Sequence, residues 1–188
     1  MTVGMSGPAI AVIELLSIAR GIRTTDAMAK RAPILVLESV VICPGKYLIV
    51  VGGQTDPVVE AFEEGLEVAG EAVVDRLILP NAHHQLIPGI SATSEVPEVD
   101  AVGVVETFSS TAGVLGADAA CKAADVQLIE LRLARGMAGK AFFTLTGPLH
   151  EVEVAVKAAR DILRQESGLL LNTEVIARPH EDLIAKLL

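Results

Sequence analysis

The stretch AIAVIELLSIARGIRTTDAMAKRAPILVLE at positions 9–38 recurs 92 positions later as AVGVVETFSSTAGVLGADAACKAADVQLIE at positions 101–130. Ten of these thirty positions are identical: Ala9/Ala101, Val12/Val104, Glu14/Glu106, Ser17/Ser109, Gly21/Gly113, Asp26/Asp118, Ala27/Ala119, Lys30/Lys122, Ala32/Ala124 and Glu38/Glu130. Self-similarity at a fixed spacing is the signature of an internal repeat. The 188 residues therefore predict two copies of one small domain, at 1–90 with the linker and at 91–188.

The similarity continues beyond position 130 with a small change of spacing. Gly45-Lys46 matches Gly139-Lys140, and Gly53 matches Gly147, at an offset of 94. The second copy therefore carries two extra residues just before its Gly-Lys pair.

Hydrophobic spacing predicts the order β-α-β-β-α-β in each copy, an α+β fold with helices covering a sheet. The predicted strands are 9–15, 34–42, 47–51 and 75–79, then 101–108, 126–133, 141–146 and 169–176. The first helices are predicted at 17–32 and 109–124, and a short terminal helix at 181–188. The second helices show apolar faces formed by Val59, Phe62, Leu66, Ala69 and Val73, and by Val152, Ala155, Ala159 and Ile162. Asp56 is the predicted N-cap of the first of these, and residues 80–100 are the predicted linker.

Composition excludes two classes of function. The chain has one Tyr, four Phe and no Trp, so it lacks the aromatic platform on which single-stranded nucleic acid stacks. Its 15 basic and 24 acidic residues give a net charge of −9, which disfavours phosphate-backbone binding. Hydrophobic residues make up 51% of the chain, so small aliphatic side chains must build the core. We expect no nucleic-acid partner.

Targeting and membrane signals are also missing from the sequence pattern. Glu14 interrupts the apolar run near the N-terminus, and the first basic residue is Arg20, so the run does not resemble a signal peptide. No stretch of about 20 apolar residues predicts a membrane span. The sequence is therefore expected to be soluble, cytoplasmic and without a membrane partner.

Catalytic motifs are not found either. The chain has no G-x-S-x-G, P-loop, H-E-x-x-H or dinucleotide fingerprint. Glu14 and Glu106 recur at equivalent places on the first strands, which favours a structural hydrogen-bonding role over general acid or base catalysis. We predict that the chain is not an enzyme.

Several motifs resemble the bacterial microcompartment shell proteins. These are AIAVIEL and AVGVVET, DAMAKRA and DAACKAA, and the closing VIARPHEDL. VICPGKY and RPHEDL are similar to the T-type subgroup from propanediol-utilising microcompartments. The resemblance implies a homotrimer of tandem domains, a pseudohexameric tile in a microcompartment shell with neighbouring shell proteins at its edges.

In this family the loop between the second and third strands of each repeat lines a central pore. The resemblance assigns that role to Ile42, Cys43, Pro44, Gly45 and Lys46 in the first copy, and to 134–139 in the second. The second loop contains Arg135, Gly136, Met137, Ala138 and Gly139. Because the two loops differ, the symmetry implied at the pore is three-fold.

The resemblance further implies that Cys43 of each chain binds an iron–sulfur cluster on the three-fold axis. Three thiolates suit one 4Fe-4S cluster with its remaining iron held by another ligand. The alternatives are that Cys43 is a small buried hydrophobe, that three thiolates hold zinc with a fourth ligand, or that chains become oxidised together.

The other candidate ligands receive structural interpretations. Cys121 lies in the alanine-rich segment ADAACKAA, which predicts a core cysteine. Adjacent loop residues such as His83 and His84 rarely converge on one ion, so polar contact or solvent exposure is expected for them and for His180.

Tile-edge contacts are implied for matched lysines on the first helices. The resemblance places Lys30 and Lys122 at the tile edge, where such a lysine meets its counterpart in the next tile. It assigns edge roles to Arg178 and His180 of the Arg-Pro-His motif, for which the first copy has Asn81.

The resemblance implies a trimeric shell tile whose cluster passes single electrons between the cytosol and enclosed cofactors or acts as a cluster relay. Encapsulated redox enzymes would be further partners. The first alternative is a metabolite-conducting pore with no metal cluster. The second is an oligomeric module that binds a small molecule between its repeats.

Overall fold

The computed structural model describes residues 8–188 and divides the chain into two compact units, the first ending at His84 and the second spanning Gln85–Leu188. Each unit contains one four-stranded antiparallel sheet. The predicted repeat of one α+β domain is confirmed.

The first unit contains four strands and two α-helices. In chain order they are β1 (Ala9–Leu15), α1 (Ile18–Arg31), β2 (Leu35–Ile42), β3 (Lys46–Gly53), α2 (Thr55–Ala69) and β4 (Val73–Leu79). The sheet order is β2-β3-β1-β4, so β2 and β4 form its two edges.

The second unit repeats this arrangement with two additional helices, one at its start and one at its end. Its elements are α3 (Leu86–Ile90), β5 (Ala101–Thr107), α4 (Ser110–Ala123), β6 (Gln127–Leu133), β7 (Ala141–Gly147), α5 (Leu149–Ile162), β8 (Leu170–Ile176) and α6 (Glu181–Leu187). The order β6-β7-β5-β8 matches that of the first unit. The irregularity in pairing also recurs, between Val36 and Glu38 in β2 and between Leu128 and Glu130 in β6.

Matched serines start the first helix of each repeat. The Ser17 side chain accepts a hydrogen bond from Arg20 N at 3.2 Å, and Ser109 accepts one from Ala112 N at 3.2 Å. Such N-caps satisfy backbone donors that have no partner within the helix. In the first repeat, Pro33 follows Ala32 and disfavours helical backbone at that residue, which is where α1 ends.

The core of the first unit lies between β1, β3 and the two helices. Ile13, Leu15, Met28 and Ile49 are fully buried there. A Cβ added to Gly65 of α2 would lie 2.8 Å from Met28 Sδ, so glycine allows this close packing. Aliphatic residues form most of this core, as the composition predicts, and five of them are alanines; Tyr47 and Phe62 are its aromatic members.

The second helices differ from prediction in detail. On α5, Val152, Ala155 and Ala159 are buried as predicted, and Ile162 is half-buried. The buried face of α2 is Val58, Ala61, Phe62, Gly65 and Ala69, whereas the predicted Val59 and Leu66 are half-buried and Val73 begins β4. The face is centred on alanine and glycine, which hydrophobic spacing does not detect.

The N-cap prediction for α2 is wrong, because Gln54 holds the cap position and Asp56 lies inside the first turn. The predicted linker is also not uniformly irregular, because it contains α3. This helix packs on β6, so the unit boundary falls between His84 and Gln85, six residues before the predicted boundary.

In the part of the chain that the structure describes, no helix has the length and apolar character needed to cross a bilayer.

Candidate functional site

Cys43 lies in a three-residue turn that joins β2 to β3. Ile42 pairs with Lys46 across the ends of these strands, and Cys43, Pro44 and Gly45 form the exposed turn between them. Gly45 has a φ of 76°, a left-handed conformation that glycine adopts without steric cost. Cys43 is a free, exposed thiol, so the alternative of a buried hydrophobic cysteine is wrong.

The base of this turn is fixed by a partly buried ion pair. Lys46 Nζ lies 3.2 Å from Glu14 Oε2, and the Glu14 side chain is only 3% exposed. Ile42, at the other side of the base, is 2% exposed. Among the five residues assigned to the first pore loop, the two outer ones are therefore anchored and the middle three face solvent.

The corresponding loop of the second repeat is longer and is closed by backbone hydrogen bonds. Ala134 N donates to Lys140 O at 2.9 Å, and Lys140 N donates to Met137 O at 3.0 Å. Ala134 and Ala138 both adopt positive φ angles, 52° and 53°. The loop contains no cysteine, so its chemistry differs from that of the Cys43 turn.

Side chains of this second loop are differently exposed. Arg135, Gly136 and Ala138 are exposed, Met137 is half-buried and Gly139 is buried. The ion pair of the first repeat has no equivalent here: Lys140 is exposed and, within residues 8–188, it makes no ion pair with the half-buried Glu106. The two loops are therefore anchored by different means.

Cys121 is a core residue of α4, as predicted. It is 5% exposed, and burial raises the pKa of its thiol to about 12, with the negative charge of Asp118 as a second cause. A thiol with this pKa stays protonated at neutral pH and is a poor metal ligand.

Both predicted edge lysines are held by an aspartate one helical turn away. Lys30 Nζ lies 2.6 Å from Asp26 Oδ2, and Lys122 Nζ lies 2.6 Å from Asp118 Oδ2. The pairs differ in burial, because the Asp26 side chain is 61% exposed and that of Asp118 only 8%. The repeat thus conserves the pair within this chain but places it in different surroundings.

The other predicted edge residues lie at the surface. Asn81, Arg178 and His180 are all exposed. His180 is the N-cap of α6, and its Nδ1 accepts a hydrogen bond from Asp182 N at 3.2 Å. The predicted polar role of His180 is confirmed.

No metal site is assembled within one chain in the described range. Residues 8–188 contain no group of three or more His, Cys, Asp or Glu side chains placed to hold an ion. His83 and His84 face each other, with ring centroids 4.3 Å apart.

Sequence reasoning did not detect the pairing of Glu14 with Lys46. The recurrence of Glu14 and Glu106, and of the Gly-Lys pairs, contained the signal. Because, among the described residues, only the first repeat forms the ion pair, the repeat pattern alone could not have located it.

Comparison with known proteins agrees with this geometry. The BMC domain model matches residues 9–82 and 101–179, which is most of each unit. The chain is 42% identical to the bacterial microcompartment shell protein PduT of Citrobacter freundii, over 93% of this chain and 95% of that protein. It is 38% identical to the carboxysome shell protein CcmK1 of Thermosynechococcus vestitus over 84 residues, covering 44% of this chain and 73% of that one.

Solved structures lead to the same fold. A microcompartments protein from Desulfitobacterium hafniense DCB superimposes with a TM-score of 0.91 at 38% identity, covering 95% of this chain and 99% of that one. The fused permuted hexameric shell protein MSM0275 from the RMM microcompartment shares the fold, with a TM-score of 0.62 at 24% identity and 84% of each chain covered. With two matched domains and these relatives, the chain belongs to the BMC-domain family and is a tandem-domain structural shell protein of a bacterial microcompartment.

Proposed function

We propose that three copies of this shell protein form a pseudohexameric tile with a central pore. In this proposal the three Cys43 turns converge on the three-fold axis and bind one 4Fe-4S cluster. The tile would transfer single electrons across the microcompartment shell. Its partners would be neighbouring shell proteins at the edges and redox enzymes inside the compartment.

The exposure of Cys43 is the observation that supports this proposal. Its thiol is exposed in a three-residue turn, whereas the other cysteine of the chain is buried. The matching loop of the second repeat has no cysteine. Each chain therefore offers one accessible thiolate, and three-fold symmetry would bring three together.

The residues present fit a cluster that is shared between chains. One chain provides too few ligands, because residues 8–188 contain no metal-binding group of three side chains. Three thiolates would occupy three iron positions of a 4Fe-4S cluster and leave the fourth iron to a small ligand or another group. Zinc bound by the same thiolates would also need a fourth ligand.

The chain's own residues would bind the cluster and fix its position. The Cys43 thiolate would be the ligand, while Gly45 lets the backbone approach the axis closely. Lys46 and Glu14 would hold the start of β3, so the turn would extend from a rigid base. When bound, a cluster of this kind supplies one-electron redox chemistry.

The test is anaerobic purification followed by iron and sulfide analysis, visible absorption and EPR. Wild type is expected to contain about four iron atoms per three chains. Cys43→Ser should lose the iron, and the matched control Cys121→Ser, which changes the buried cysteine, should keep it. The proposal fails if anaerobic wild type contains no iron, or if Cys43→Ser retains as much as wild type.

The second loop supports an alternative in which the tile conducts metabolites and holds no cluster. Its exposed Arg135, flanked by Gly136, would give a pore lining a positive charge and little bulk. Wild-type protein that is trimeric but free of iron and sulfide would favour this alternative over electron transfer.

A further inference from the structure

Helices α3 and α6 are equivalent in sequence, because each follows the last strand of its repeat, β4 or β8. His83 aligns with His180 at a spacing of 97 residues, and this spacing carries α3 onto α6. The apolar residues then correspond in three pairs, Leu86/Leu183, Ile87/Ile184 and Ile90/Leu187. The chain therefore has two versions of one short helix with three matched apolar positions.

Within the second unit, α3 is packed on β6. Leu86 is fully buried and Ile90 is 8% exposed. The contact is close at Gly89, where an added Cβ would lie 2.5 Å from Leu128 Cδ2 and 3.6 Å from Leu131 Cβ. Leu128 and Leu131 are therefore the residues of β6 that lie nearest to Gly89.

The residue before α3 also binds the backbone of β6. Gln85 Nε2 donates to Val126 O at 2.8 Å, and Gln85 Oε1 accepts from Leu128 N at 2.6 Å. Its side-chain amide thus satisfies one donor and one acceptor at the edge of the sheet. Apolar burial and edge hydrogen bonding together seat α3 on the strand.

In the first unit, β2 presents the equivalent surface with more exposure. Because the two sheets share their register, Leu128 and Leu131 correspond to Val36 and Ser39. Val36 is 37% exposed, whereas Leu128 is 1% exposed, and neighbouring Leu35 is 56% exposed. This part of β2 is an apolar strand edge in contact with solvent.

Helix α6 has exposed apolar residues that could cover this edge of β2. It buries none of its seven residues, and Leu183 is 39% exposed although its counterpart Leu86 is fully buried. Asp182, at the position of Gln85, has a side chain that is 92% exposed. The helix therefore has an apolar side that its own chain covers only in part.

The side chains of the two surfaces are also matched in size. In the second unit, Gly89 faces the large Leu128 and Leu131. The corresponding residue of α6 is the larger Lys186, and the corresponding residues of β2 are the smaller Val36 and Ser39. The lysine methylenes would fill the space that the smaller side chains leave.

We propose that α6 of one copy seats on β2 of a second copy, in the manner in which α3 seats on β6 within one chain. The occupant is a second copy because α6 and Val36 are both exposed in the same chain. The inference rests on the proposed trimer: three identical head-to-tail contacts close a ring when the rotation closes.

One hydrogen bond of the contact between α3 and β6 cannot form in the proposed contact between α6 and β2. Asp182 can accept from the N–H of Val36, as Gln85 accepts from Leu128. A carboxylate cannot donate to the C=O of Ile34, which corresponds to that of Val126. The contact between chains therefore depends more on the apolar residues of α6.

Disulfide trapping tests this contact directly. The 3.6 Å between an added Cβ at Gly89 and Leu131 Cβ lies in the disulfide range of about 3.5–4.5 Å. The equivalent pair is Lys186→Cys with Ser39→Cys, placed in a Cys43→Ser background so that the exposed native thiol and any cluster play no part. The control pairs Lys186→Cys with Val74→Cys, an exposed position on β4 at the opposite edge of the same sheet.

After mild oxidation, non-reducing gels should show covalent dimers and trimers for the Ser39 pair and monomers for the Val74 pair. Bands beyond three chains should not form, because the ring is closed. A trimeric mass in light scattering with no trapping at Ser39, or with equal trapping at Val74, would overturn the inference and leave the trimer standing. A monomeric mass of 19.6 kDa for the wild type would overturn both.

A single substitution gives an independent measurement. Leu183→Asp changes an exposed residue, so the monomer fold should persist, and the concentration at which the trimer dissociates should rise at least tenfold. Leu188→Asp, which changes the exposed residue just after α6, should leave dissociation unchanged. Equal behaviour of the two variants would contradict the assignment.

Discussion

Lys46 forms an ion pair with the buried Glu14 beneath the Cys43 turn. Lys46 Nζ and Glu14 Oε2 are 3.2 Å apart, with the side chains 25% and 3% exposed. The other oxygen of Glu14, Oε1, has no hydrogen-bond partner within residues 8–188. The lysine is thus the group that compensates the charge of a carboxylate otherwise removed from water.

Lys46→Ala should lower the free energy of unfolding of the first unit by about 3 kcal/mol, because removing one partner leaves a buried uncompensated charge. Denaturant titration can be followed by fluorescence of Tyr47, since the chain has one Tyr and no Trp. Circular dichroism would follow the whole chain.

Two comparisons decide whether this loss comes from the buried charge. Lys140→Ala removes the exposed counterpart and should change stability by less than about 0.5 kcal/mol. Adding Glu14→Gln to Lys46→Ala should recover part of the loss. Equal effects of Lys46→Ala and Lys140→Ala would contradict the role given to the ion pair.

The two cysteines should differ in reactivity in the native protein. Cys43 is exposed, whereas burial raises the pKa of Cys121 to about 12, so Cys121 has almost no thiolate below about pH 10. Iodoacetamide at pH 8, applied without bound metal, should modify one thiol per chain in native protein and two in denaturant. Peptide mass spectrometry that finds Cys121 modified in native protein would disprove the assignment.

Sequence patterns were sufficient for the repeated elements but not for contacts between them. The matched Ser17 and Ser109 start α1 and α4 as local capping predicts, because a cap depends on residues within one turn. Helix α3 was missed, because Pro88 and Gly89 are poor helix formers and its stability comes from packing on β6. Tertiary contact overrides local propensity there.

In the candidate site, too, local features could be predicted from the sequence and contacts between distant residues could not. Exposure of Cys43 follows from a short turn with Pro44 and Gly45, which the sequence displays. The pairing of Lys46 with the buried Glu14 joins residues 32 positions apart and, within residues 8–188, is found in the first repeat only. It depends on how β1 and β3 align, which residue types alone do not determine.

Lys30→Asp should weaken two-dimensional tiling and leave the proposed trimer intact. The substitution places two carboxylates one turn apart on an exposed helix face, which costs only about 0.2–0.5 kcal/mol. Electron microscopy would measure the formation of two-dimensional arrays of tiles. Light scattering would measure whether the trimer persists. Lys30 is the better test than Lys122, because Asp118 is buried and its lysine also supports the fold.

Lys157→Asp is the matched control for this prediction. Lys157 forms the same kind of ion pair, 2.8 Å from Asp161 on the exposed face of α5, but has no predicted edge role. Lys157→Asp should leave the two-dimensional arrays of tiles unchanged. Arrays that persist in Lys30→Asp, or that disappear equally in both variants, would argue against the edge assignment.

Native mass spectrometry of anaerobically purified protein tests the central claim most directly, because it measures chain number and bound metal on the same particle. The prediction is a species of three 19.6 kDa chains carrying the mass of one 4Fe-4S cluster, which Cys43→Ser reduces to three bare chains. A wild-type trimer with no added mass, or a cluster that survives Cys43→Ser, would contradict the account.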